Sequence, residues 1–172
     1  MLDRLSELEK YTYYFQFTLN SYGNDVEPNI PPKKDVIIPA FQRLSTEIGK
    51  DKVVWRYDPI IFNEKYNMQY HIKYFESLVD KLANYTEKCT VSFVDFYEKT
   101  KRNISPLGIT IPTASQKIEL IGAFSEIAKK HGIYIDTCAE DINLQRFGIS
   151  HASCIDKNRF ERIGKYKLNI EK

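Results

Sequence analysis

Four short runs crowded with aromatic and β-branched residues recur along this chain at spacings of about 40 residues, and a segment of helical period fills each gap. The runs are Tyr13 to Thr18 (YYFQFT), Lys52 to Tyr57 (KVVWRY), Cys89 to Asp95 (CTVSFVD) and Ile133 to Thr137 (IYIDT). Each has the composition of a strand. Between them, Val36, Ala40, Phe41, Leu44 and Ile48, then Ile72, Phe75, Leu78, Val79 and Leu82, then Ile118, Ile121, Phe124, Ile127 and Ala128 put one apolar stripe on each of three helices. A helix between two strands returns the chain in the same direction, so the alternation predicts a parallel sheet. The expected fold is α/β: a parallel sheet of four or more strands alternating with helices. The repeat length suits a partial TIM-like (β/α) barrel as well as an open sheet.

Punctuation agrees with the period. Gly49 and Gly132 fall just past the first and third helices, where a left-handed residue closes a helix, and Thr113 with Gln116 has capping-box spacing. Pro39 either occupies a first-turn position, so that the helix starts later than Lys33, or kinks it. At 172 residues the chain fits a single α/β domain spanning 1–172.

Composition bounds the function classes. With 25 basic and 23 acidic residues the net charge is +2, too weak a field to make nucleic acid the expected partner. The cluster Lys99, Lys101 and Arg102 near Tyr97 could touch phosphates, although a solvated loop explains it as well. Three widely spaced cysteines, Cys89, Cys138 and Cys154, fit a reducing compartment, and no apolar run approaches a membrane span. A cytoplasmic protein with no membrane partner is expected. The sequence has no G-x-G-x-x-G, Walker loop or G-x-S-x-G elbow, which sets aside the dinucleotide, P-loop and serine-hydrolase readings.

Parallel sheets bind ligands at the carboxyl ends of their strands, and polar residues gather there. The first strand offers Gln16, Thr18 and Asn20 on one alternating face; the second offers Arg56 and Asp58; the third ends at Asp95; the fourth leads to Asp136, Cys138 and Glu140. A charge on a strand needs a partner, a ligand or a wet mouth. In one reading Arg56 binds an anionic group while Asp58, Asp95, Asp136 or Glu140 bind hydroxyls, a metal or a proton. In the other, Arg56 simply pairs with one of these carboxylates. Cys138, His151 and Cys154 are weak metal-ligand candidates, since a buried cysteine is more often a small hydrophobe. His71 within a helix and His131 before Gly132 point to structural roles.

The strings YYFQFTLNSYG (Tyr13 to Gly23), VVWRYDPIIF (Val53 to Phe62), VSFVDFY (Val91 to Tyr97), TCAEDINL (Thr137 to Leu144) and ISHASCID (Ile149 to Asp156) together resemble the bacterial domain-of-unknown-function family eighteen forty-eight over nearly the whole chain. That resemblance implies a barrel protein related to radical S-adenosylmethionine enzymes, with a C-x-x-x-C-x-x-C region near the carboxyl end. Three such thiolates would hold an iron–sulfur cluster whose fourth iron binds S-adenosylmethionine. The 172 residues contain no such triplet. The resemblance therefore implies a piece of a larger barrel that lacks the N-terminal strand or strands and the cysteine region, with cluster and S-adenosylmethionine belonging to a longer chain. An open sheet edge in such a piece would be covered by a helix, a terminus or a second copy in a homo-oligomer.

Three functions compete. The first is a partial-barrel piece of an iron–sulfur, radical-type enzyme whose strand-end pocket takes an anionic substrate. The second is a non-catalytic module that binds a small anionic molecule or a partner through Arg56. The third and weakest is metal-dependent hydrolysis by Asp58, Asp95, Asp136 and His151.

Overall fold

The computed structural model describes residues 2–95, 105–138, 144 and 147–169. Five strands form one sheet: β1 (Phe15–Thr18), β2 (Val53–Ile60), β3 (Lys88–Phe93), β4 (Tyr134–Thr137) and β5 (Ser150–His151). All neighbouring pairs are parallel, in the order β1-β2-β3-β4-β5. The main helices are α1 (Ile38–Ile48), α2 (Met68–Leu82), α3 (Ala114–Lys130) and α4 (Lys157–Gly164), and a short 3₁₀ segment spans Leu2–Leu8. Among the described residues no helix is long and apolar enough to cross a membrane.

The α/β reading and the parallel sheet are as expected, with differences at the boundaries. Val36 sits in a π-helical turn, Lys33–Ile37, which runs into α1; it is exposed and off the apolar stripe. Pro39 occupies the first turn of α1, where its missing N–H costs nothing. The capping box of Thr113 and Gln116 opens α3. Strand β2 runs on through Pro59 to Ile60 with a register irregularity after Tyr57. Strand β3 starts one residue early, at Lys88, and ends at Phe93, so Asp95 lies beyond it. Strand β5 and helix α4 were not expected.

Each strand lies beside its predecessor, always on the same side. Right-handed crossovers then place the intervening helices on one face of the sheet. A doubly wound sheet would reverse its strand order and cover both faces. The helix-covered face is the core: Phe17, Val53, Trp55, Tyr57, Cys89, Val91, Phe93 and Ile135 meet Phe41, Leu44, Phe75, Leu82, Ile121 and Phe124. Phe75 stacks on Trp55 at 5.0 Å and on Phe124 at 3.8 Å, and the Tyr57 ring meets both phenyl rings edge-on at 5.5 and 5.4 Å.

Candidate functional site on the polar sheet face

Side chains alternate along a strand, so the residues between the core positions project to the other face. The parallel register lines them up as a row, Thr18–Arg56–Thr90–Asp136–Ser150, across all five strands. Every member is polar. This face carries Gln16, Asp58, Lys88 and Ser92 by the same alternation.

Two charge clusters occupy the face. In the first, Arg56 donates from Nε and Nη2 to Asp58 Oδ2 at 2.9 and 2.5 Å and from Nη1 to Gln16 Oε1 at 2.7 Å. Ser92 Oγ donates to the other Asp58 oxygen. Burial opposes the charge on Arg56, but the hydrogen bonds and charge of Asp58 outweigh it and hold the guanidinium above its ordinary pKa. Asn20 fixes the strand beneath, accepting from Asp58 N at 2.8 Å and donating to Asp58 O at 2.9 Å.

In the second cluster Lys88 Nζ lies 2.5 Å from Asp136 Oδ2 and 3.1 Å from Asp156 Oδ2, and Thr90 Oγ1 donates to Asp136 Oδ1 at 2.7 Å. Asp136 is 2% exposed and Lys88 8%. Burial again works against the lysine, and its two carboxylates prevail, leaving its pKa raised. Asp156 also caps α4 by accepting from Arg159 N at 3.0 Å. Burial pushes Asp156 up, but that capping bond and Lys88 bring it below the usual carboxylate value.

After β5 the chain turns and crosses this face back towards β1. Gln16 Nε2 donates to Cys154 O, and Asp156 N donates to Tyr14 Oη, each at 3.0 Å. Arg159 then reaches Asp51 O and lies 5.9 Å from the centre of the Tyr14 ring. A cavity of about 490 Å³ remains beside the crossing, lined by Lys88, Tyr134, Asp136, Ser150, Asp156 and Arg159 among others. That volume lies within the range of small-molecule sites.

The sequence-nominated residues separate accordingly. Gln16, Arg56 and Asp58 come together, and Thr18 stands beside Arg56 in the cross-sheet row. Asp136 joins the lysine cluster, while Asp95 follows the end of β3 in an exposed position. Glu140, Tyr97, Lys99, Lys101 and Arg102 lie outside the described residues. Cys138 and Cys154 line a second, narrow cavity beside Arg56, whereas His151 borders the larger one. Lys88, Thr90, Ser92 and Asp156 were not nominated. The alternation of KCTVSF, polar at Lys88, Thr90 and Ser92 and apolar between them, was the available signal for three of the four.

A three-thiolate cluster does not fit the cysteines present. Cys89 pairs in register with Trp55 and Ile135 on the helix-covered face, fully buried, and cannot meet Cys138 and Cys154 across the sheet. Among the described residues no group of three or more His, Cys, Asp or Glu side chains is arranged to hold a metal ion.

Sequential parallel strands, crossover helices on one face and charged residues on the other define an α/β protein with a polar sheet face. The chain belongs to the family described as domain of unknown function DUF1848, whose model matches residues 1–172. No curated protein and no solved structure matches it.

Proposed function

We propose that this chain is a small-molecule-binding α/β unit, a sector wound like a (β/α) barrel, whose polar sheet face receives a polar ligand bearing an anionic group. The observation that carries this reading is the polar face itself, with Arg56 in the cross-sheet row, Lys88 beside it and a 490 Å³ cavity that Lys88 lines. Charge-assisted pairs hold both cations in place and charged, and Arg159 and Arg162 add positive charge to the cavity lining, which suits a carboxylate or phosphate. Tyr134, Ser150 and Ser153 add hydroxyls to the lining, which suits a hydroxylated ligand.

The iron–sulfur chemistry implied by the family resemblance would need thiolates beyond Cys89, Cys138 and Cys154, so no step of it is assigned to these residues.

The test is a panel of small carboxylates and phosphate esters followed by amide chemical shifts. Hits should perturb residues of β2, β3 and β4 on the polar side. Their affinity should fall at least about tenfold in Arg56→Gln or Lys88→Met and remain unchanged in Arg43→Gln on the outer surface of α1. Hits whose affinity is indifferent to both polar-face substitutions would refute the site.

A further inference from the structure

Cys138 and Cys154 stand in an arrangement that ligand binding does not explain. Cys138 follows the last residue of β4, and its N–H donates to Val91 O at 3.0 Å, so strand pairing continues to it. Ala152 N donates to Thr137 O at 2.6 Å, which extends the pairing of β4 with β5 and sets Ala152 beside Cys138. The chain then turns onto the polar face, where Gln16 holds Cys154 O at 3.0 Å. Both thiols line the same narrow cavity with Arg56 and Thr90. Across this cavity the Cys138 thiol feels both the Arg56 guanidinium and the Cys154 side chain. Cys154 is exposed and Cys138 half-buried, so reagents reach the pair from one side.

We propose that Cys138 and Cys154 are a redox-active dithiol that closes to an intramolecular disulfide by exchange with low-molecular-weight disulfides of the glutathione class, stapling the crossing segment to the end of β4. The pairing of β4 with β5 sets the segment that carries Cys154 against the end of β4, and the shared cavity leaves the two side chains room to turn towards each other as a disulfide requires.

The exchange balances in two steps. The Cys154 thiolate attacks one sulfur of oxidised glutathione; the glutathione S–S bond breaks, and one glutathione leaves as thiolate and takes up a proton. The Cys138 thiolate then attacks the Cys154 sulfur, and the second glutathione leaves in the same way. Two electrons pass from the cysteine pair to the glutathione disulfide, and the two protons lost by the cysteines end on the two glutathione thiols. Burial raises the Cys138 thiol above its ordinary pKa, and the neighbouring guanidinium works in the opposite direction. Arg56 therefore supplies positive charge where the second thiolate must form.

The experiment treats the reduced full chain with oxidised glutathione, quenches with acid, alkylates and maps peptides without reductant. The expected product links the Cys138 peptide to the Cys154 peptide and reverts with excess reduced glutathione. Cys89 should accept the alkylating reagent only after denaturation, because it is fully buried. Recovery of both Cys138 and Cys154 as alkylated thiols, or of Cys154 bearing glutathione with Cys138 still free, overturns the proposal. No ligand enters this test, so its result is independent of the binding proposal.

Discussion

Trp55 and Arg56 are neighbours in β2, yet they belong to opposite kinds of structure. On the side of Trp55 the sheet is held by non-directional burial: stacked aromatic rings, aliphatic residues from three helices and almost no charge. On the side of Arg56 it is held by directional pairs, each dependent on its partner's presence. The apolar face can relax around a lost methyl group. The polar face has less freedom, because deleting one member of a pair leaves the other charged and dehydrated. The faces should therefore fail differently when perturbed.

The largest effect is expected at Lys88. Lys88→Met removes the cation beside Asp136, a carboxylate that is 2% exposed. We expect a loss of about 3 kcal/mol in urea unfolding, the cost of orphaning a buried charge. The double variant Lys88→Met/Asp136→Asn should recover most of it, since the amide oxygen can still accept from Thr90 without carrying charge. A double-mutant cycle showing no coupling between the two positions would mean that the face is not held by its pairs.

The apolar face has a weak point that titrates in acid. His71, on α2, is fully buried; its Nδ1 lies 3.0 Å from Tyr57 Oη, its Nε2 lies 2.8 Å from Ile61 O, and Ser21 Oγ is 2.9 Å from the same tyrosine oxygen. Because Ile61 O can only accept, the ring carries its proton on Nε2 and accepts from Tyr57, which leaves Ser21 to donate to the tyrosine oxygen. Burial lowers the imidazole pKa to about 4. The unfolded chain takes up this proton below the ordinary value of 6.5 and the folded chain only near 4, so stability is lost as pH falls through that window. The loss at pH 5 relative to pH 8 should be about 2 kcal/mol. Urea unfolding at both pH values, wild type against His71→Gln, isolates it, and an equal pH dependence in the two proteins would show that the imidazole is not held neutral.

How much of this contrast could be read from the sequence follows from the same alternation. Helical stripes and strand runs were legible because period and composition agree locally, as in Ile118, Ile121 and Phe124 of α3 or Val53 and Trp55 of β2. Arg56 and Asp58 were legible as a pair of charges two residues apart on one strand face, and their pairing was one of the two stated alternatives. Strand β5 was not, since two residues, Ser150 and His151, carry no period. Asp156 escaped notice because its role joins a helix cap to a lysine 68 positions away, and no local pattern encodes such a contact. His71 reads locally as an ordinary helix residue; only its burial in the folded chain makes its proton affinity unusual.

The smallest effect is the sharpest test of the comparison, because it uses adjacent residues of one strand. Thr90 faces the polar side and donates to Asp136 at 2.7 Å, while Val91 faces the helices and is fully buried. Valine and threonine have nearly the same shape, so exchanging them changes polarity and little else. Thr90→Val should cost about 1 kcal/mol, since Asp136 loses a hydrogen bond but keeps Lys88. Val91→Thr should cost at least as much, because its hydroxyl enters a layer of apolar neighbours. Combining Thr90→Val with Lys88→Met should then cost more than the sum of the two, since the carboxylate loses both partners. Val91→Thr combined with Lys88→Met should be additive, the hydroxyl and the carboxylate being separated by the sheet. Urea unfolding of these five variants decides the matter: equal coupling on both sides would show that the two faces are not energetically separate, and coupling confined to Thr90 would show that the polar face behaves as one connected network.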